Sequence, residues 1–265
     1  MTLKAQAKAA LCFGAILALS FCPSARADNV ALGSDYFATQ PGTQFVFNGA
    51  TVPLMGLPIG PGFTDTIVQR QADAIVSPGG TASPIPIQIV ALSLESTQPI
   101  PLPTGATSYV YVTLNPADLA EDTGQMTITE NSTGTGGTFT SFFDVFFDVC
   151  LQPGANGVGC ASGTSPIYTN TTALTLSNSG ANWSNTPSPG SVLVVGPFGD
   201  QSANTHTGLP SNYEDFYLQG TLTESESGGT HVVDPATTPE PNSLALWATG
   251  LLVVGLLGKK FFTGA

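Results

Sequence analysis

The chain has 265 residues, 42% of them hydrophobic and only 9% charged, with a formal net charge of −12. Residues 28–238 hold one cation, Arg70, against 17 carboxylates, a net formal charge of −16. Such a surface repels polyanions, so nucleic acid is excluded as a partner, while attraction to Ca²⁺ or other cations stays open.

Met1–Ala27 reads as a secretory signal peptide. Lys4 and Lys8 form its basic start and Ala9–Cys22 its apolar stretch. Ala25-Arg26-Ala27 supplies small residues for cleavage between Ala27 and Asp28. A lipoprotein signal ending at Cys22 is disfavoured, because the bulky Phe21 precedes that cysteine.

Residues 28–234 then alternate short apolar or aromatic runs with Gly, Pro, Ser and Thr. That rhythm predicts an all-β ectodomain, an antiparallel two-sheet β-sandwich with almost no helix before Ser243. Strands are expected at Gln44–Phe47, Thr64–Arg70, Ile85–Glu95, Tyr109–Leu114 and Gly124–Glu130. Pro84 and Pro86 point to an edge position for the third of these. Leu54–Gly62 reads as a Pro/Gly loop, and Pro99–Pro103 as a stiff connector. Arg70 is expected to pair with a nearby carboxylate such as Asp65 or Asp73.

Asn115–Thr123 reads as a capped single helical turn. Its Asp118, Glu121 and Asp122 lack the alternating spacing that wraps Ca²⁺, so a solvated turn is favoured. Phe139–Val149 is the most apolar run of the ectodomain. Period two puts Phe143, Val145, Phe147 and Val149 on one face, read as the core face of a central strand. Asp144 and Asp148 share the other face with Phe142 and Phe146. Four residues of strand separate these carboxylates by about 13 Å, too far for a glycosidase pair.

Cys12 and Cys22 leave with the leader. Cys150 and Cys160 are then the only thiols, and in an exported chain they are expected to form a disulfide. Trp183 either stacks on a sugar or covers the core. Val192–Val195 reads as a buried strand and Pro197–Asn212 as a long loop, while Asp215–Thr223 alternates and Thr230–Val233 either pairs with it or lies alone. His206 and His231 sit in no ligand motif, so neither a metal nor another cofactor is expected. G-x-S-x-G, P-loop, G-x-G-x-x-G and H-E-x-x-H patterns are all missing from the sequence, which points away from an enzyme.

Residues 235–243 form a spacer, and the chain continues from Thr238 as TPEPNSLALWATGLLVVGLLGKKFFTGA. Pro239 and Pro241 hold the triplet with Glu240 extended. Asn242 or Ser243 can cap a helix that starts at Leu244. Residues 244–262 are expected to form a single transmembrane helix with a basic end. Its uncharged part, Leu244–Gly258, spans about 22 Å, short of a hydrocarbon core of about 30 Å. Lys259 and Lys260 then mark the cytoplasmic side, leaving the ectodomain outside.

This tail resembles the PEP-CTERM sorting signal of exported bacterial proteins. The resemblance maps the motif onto Pro239, Glu240 and Pro241, the membrane segment onto Leu244–Gly258, and the basic stop onto Lys259 and Lys260. It implies processing by an exosortase, a membrane-embedded protease-transpeptidase, and an association with exopolysaccharide and biofilm. Three functions stay in view. The favoured one is an exported, non-catalytic surface or matrix protein, anchored through its tail before processing and then at the cell surface or extracellular. The others are a carbohydrate- or Ca²⁺-binding module and, last, a glycan-active enzyme.

Overall fold

The computed structural model describes residues 28–238, apart from 48, 103, 156, 158, 161–164 and 227. The leader with Ala27, the Pro239-Glu240-Pro241 motif, the expected helix over 244–262 and its Lys259 and Lys260 lie outside the described residues. Among the described residues no helix is long and apolar enough to cross a membrane.

The described chain is built from strands alone. In the first half these are β1 (Asp28–Val30), β2 (Gly33–Thr39), β3 (Gln44–Phe47), β4 (Ala50–Gly56), β5 (Thr66–Arg70), β6 (Ala74–Val76) and β7 (Ile85–Ser96). Next come β8 (Ile100–Pro101), β9 (Thr107–Leu114), β10 (Thr123–Glu130), β11 (Gly136–Val145), β12 (Phe147–Gln152) and β13 (Tyr168–Thr169). The last are β14 (Leu174–Ser184), β15 (Val195–Pro197), β16 (Thr205–Thr207), β17 (Tyr213–Glu214), β18 (Tyr217–Gln219), β19 (Leu222–Glu226) and β20 (Gly229–Pro235).

Eight of these strands close into a barrel in the order β10-β11-β14-β19-β20-β2-β5-β7, with β7 returning to β10. Closure rests on Ile85–Gln88 of β7 running antiparallel to Thr123–Met126 of β10. This overturns the expected two-sheet sandwich: the sheet curls back on itself instead of facing a second one. Both architectures produce the same period-two burial, and only the long-range pairing of β7 with β10 separates them. The thinnest seam is β14 against β19, where Ser177 and Ser225 are the one paired position.

β7 is the hub of the fold rather than an edge. Beyond its barrel half, Ser93–Glu95 pair with β9 and Leu94–Ser96 pair with β4. A side sheet, β4-β7-β9-β12-β13, therefore grows from the barrel wall, and β3 ties β4 back to β20. Pro86 is tolerated because its exposed side turns outward while its carbonyl accepts from Gln71 N.

An eight-stranded barrel has an interior just wide enough for side chains. Here Val68, Ile87, Ile128, Phe139, Phe143 and Val233 are among those that fill it, each 3% exposed or less. Phe143, Val145, Phe147 and Val149 are all buried, as the alternation predicts. Yet the run is not one strand. It leaves the barrel after Val145 and joins the side sheet from Phe147, with Phe146 N donating to Asp122 Oδ1 at the corner (2.6 Å).

Cys150 and Cys160 are disulfide-bonded, with their Cα atoms 5.3 Å apart. Cys150 is fully buried on β12, so the bond pins the loop that follows this strand of the side sheet. Closing a loop of this length is worth about 2–3 kcal/mol in the chain-entropy account. Cys150→Ser with Cys160→Ser is expected to lower unfolding free energy by about that amount, read from the urea midpoint. Alkylation of the native protein without reduction should label neither cysteine.

Candidate functional site

The tail residues singled out in the sequence all follow Thr238, where the described chain leaves the barrel. β20 ends at Pro235, and the next three residues stay attached to the body. Ala236 N donates to Tyr36 O and accepts at its own carbonyl from Val192 N, both 2.8 Å. Ser191 and Thr237 form an antiparallel bridge, and Thr238 N donates to Gly190 O at 2.9 Å. The stretch expected as a spacer thus packs across β2, and Ala236 is 1% exposed.

A cleft of about 390 Å³ opens beside this exit, lined by Thr39, Gln40, Met55, Phe63, Asp65 and Asp234 among others. Asp65 is already saturated: it accepts from Thr39 N, Thr39 Oγ1 and Thr66 Oγ1 at 2.6–2.8 Å. Burial holds its carboxyl above the usual range, with those hydrogen bonds opposing. Gly56 must be glycine, because a Cβ there would sit 1.7 Å from Asp65 Oδ2. Among the described residues no group of three His, Cys, Asp or Glu side chains is placed to hold a metal ion.

The barrel interior carries more charge than an ordinary core. Arg70 is fully buried, and its Nη1 donates to both oxygens of Asp35 at 2.5 Å. Its Nε donates to Ala31 O, and its guanidinium lies 4.7 Å from the Phe216 ring centroid. Phe216 in turn stacks on Trp183 at 5.3 Å. Arg70 therefore does pair with an aspartate, but with Asp35 across β2 and β5 rather than Asp65 or Asp73. Burial pushes the Asp35 carboxyl up despite the neighbouring guanidinium.

Glu224 and His231 stand opposite each other in the β19–β20 ladder, and both are buried. Burial raises the Glu224 carboxyl to about 7, with the Ser141 hydroxyl opposing, and lowers the His231 imidazole to about 4. His231 Nε2 lies 3.2 Å from Thr39 Oγ1. Around neutral pH the imidazole is uncharged and the carboxyl is part-protonated. The space beside His231 holds about 50 Å³ and its walls are almost wholly apolar.

Of the remaining acidic candidates, Asp144, Asp148 and Asp122 each hold a neighbouring strand or turn by hydrogen bonds. Asp144 accepts from Thr175 Oγ1 at 2.7 Å and Asp148 from Thr169 Oγ1 at 2.5 Å, on strands of different sheets. Asp122 is buried at the β11–β12 corner, and burial raises its carboxyl to about 6. Asn115 Oδ1 accepts from Ala117 N as the cap of a turn, without a helix behind it. His206 is held by Asp215 through Nδ1 at 2.6 Å and reaches Asp200 O through Nε2. Trp183 is a core residue, 2% exposed, its Nε1 donating to Thr129 O.

Two features gave no signal in the sequence. One is an aromatic cleft of about 260 Å³ where Phe47, Phe147 and Tyr168 meet beside Asn170 and Thr172. Ring centroids lie 6.0 Å apart for Phe47–Tyr168 and 6.2 Å for Phe147–Tyr168, and Tyr168 is 45% exposed. The other is the run Val192–Val195, expected in the core. Only Val192 is buried there, while Leu193 and Val195 are 47% and 61% exposed. No family model matches the sequence, and no curated protein or solved structure shows significant similarity to it.

Proposed function

We propose that this is an exported, non-catalytic surface or matrix protein whose barrel is delivered by its leader and handled through its C-terminal tail. The observation that carries the reading is the run from Thr238: Pro-Glu-Pro, an uncharged apolar stretch and two lysines. The fold agrees with it in two respects. The barrel is packed with side chains rather than hollowed for a substrate, and its disulfide suits an oxidising compartment. An exosortase-type membrane protease is the partner this tail calls for, and extracellular polysaccharide is the setting its resemblance implies.

The test is to express a tagged chain with and without an exosortase and weigh the membrane and released fractions. The expected product ends near residue 241 and lacks Trp247 and the lysines. Changing Pro239, Glu240 and Pro241 to alanine should stop processing. A full tail in every fraction of a strain that has the protease would reduce the segment to a plain anchor.

A second reading draws on the aromatic cleft. Tyr168, Phe47 and the Asn170–Thr172 rim make a face on which a sugar ring can stack. If it binds glycan, Tyr168→Ala should abolish binding on a polysaccharide array without changing the free energy of unfolding in urea by more than about 1 kcal/mol.

A further inference from the structure

The exit of the chain is framed by two loops without a charged residue. Leu57–Thr64 (LPIGPGFT) and Ser188–Gly199 (SPGSVLVVGPFG) carry none, in a body with a net formal charge of −16. They meet at the exit itself: a Cβ on Gly62 would lie 2.5 Å from Thr237 O and 2.8 Å from Val192 Cγ2. Around that junction Ile59, Phe63, Leu193 and Val195 are 47–61% exposed, and Met55 beside them is 37% exposed. Of the nearest carboxylates, Asp65 is 2% exposed, Asp234 is half-buried, and Asp200, whose Oδ2 would lie 2.5 Å from a Cβ on Gly196, borders the far end of the second segment. Exposed apolar side chains on two segments that meet at one point of an otherwise acidic protein mark an interaction surface.

We infer that this rim docks on a phospholipid bilayer, seating the barrel at the boundary between headgroups and acyl chains. The inference rests on the anchoring part of the reading above and not on processing. Three observations select lipid as the occupant. The apolar run starting at Leu244 follows Thr238 by six residues, a reach of about 20 Å fully extended, so this face is tethered close to whatever the run enters. An acidic body is repelled by the negative surface of a membrane, and a face whose two framing segments carry no charge is the one that can approach it. The exposed side chains are the Phe, Leu, Ile, Val and Met that partition to that boundary.

The test uses the full chain reconstituted in phosphatidylcholine vesicles with bromine on the acyl chains near the headgroup, which quenches nearby tryptophan. Trp183 is buried, so in the native chain Trp247 reports whether the tail inserts. In a Trp247→Phe background, Phe63→Trp probes the rim. Phe142→Trp is the control, since Phe142 is exposed on β11, four strands from β2 in either direction around the barrel. Quenching of the Phe63→Trp probe is expected to exceed that of Phe142→Trp by roughly twofold or more, as burial of about 5–10 Å requires. Quenching of Trp247 with equal or no quenching of the two probes would overturn the docking inference and keep the anchor. Loss of Trp247 quenching would overturn both. A second copy covering the rim would leave Phe63→Trp unquenched, the same refutation.

Discussion

Asp35→Asn is expected to lower the free energy of unfolding by about 3–5 kcal/mol, the range seen when one partner of a buried ion pair is removed. Few single changes in a domain with about 5–15 kcal/mol to lose would do more. The cause is asymmetric. Arg70 cannot shed its proton, so without Asp35 a guanidinium stays charged in a site with no exposure, held only by Ala31 O and the Phe216 ring. Arg70→Met removes the other partner and should behave differently with pH. The Asp35 carboxyl is already raised by burial and loses the one group that holds it down. A group whose folded value lies above its unfolded value gives stability that is present at low pH and lost as pH rises. The Arg70→Met penalty should therefore shrink in acid while the Asp35→Asn penalty does not. Asp35→Leu with Arg70→Met should recover most of the loss, because an apolar replacement leaves no charge to solvate. Urea midpoints at two pH values decide this. A cost below about 1 kcal/mol for Asp35→Asn would mean that water reaches the pair.

The second large effect concerns Glu224. Its folded value of about 7 lies above the ordinary 4.5. Its contribution is therefore complete below about pH 4.5 and lost as pH climbs to about 7. His231 has the opposite sign: with a folded value near 4 against 6.5, its contribution is present above pH 6.5 and lost as pH falls to about 4. Between these limits the two slopes oppose each other, and the parent protein should show little net dependence from this pair. Glu224→Gln removes one slope. Relative to the parent it should be near neutral at pH 4 and more stable by about 3 kcal/mol at pH 7.5, roughly 10 °C in melting temperature. Its own stability should then fall as pH drops through the range in which His231 must stay uncharged. Calorimetric scans of parent and variant from pH 4 to 8 read this directly. Parallel curves for the two proteins would show that the Glu224 carboxyl titrates normally.

How much of this was legible in the sequence depends on distance along the chain. Strand identity is local, and Tyr109–Leu114, Gly124–Glu130 and the Phe143–Val149 face follow from period two. The disulfide was legible because residues 28–238 hold only two cysteines, ten positions apart. Closure was not. It turns on residues 85–88 meeting residues 123–126, and nothing in either segment names the other. Pro86 pointed to an edge, since a proline disrupts a ladder; here its exposed face and its accepting carbonyl let it sit inside the ring. Arg70 was expected to find Asp65 or Asp73, which are near in sequence, whereas the strand opposite presents Asp35. The exit rim was hidden because Leu193 and Val195 are apolar, and an apolar run is read as core until a structure shows which way it faces.

Arg70 is the sole cation of residues 28–238, and it is fully buried. A protease that cuts after basic residues finds one bond in residues 28–238, between Arg70 and Gln71. That bond leaves β5 with Gln71 N held by Pro86 O, and the side chain such an enzyme must grip has no exposed surface. Trypsin-like enzymes can therefore attack this barrel only after it opens, and its survival among them is set by how often it unfolds.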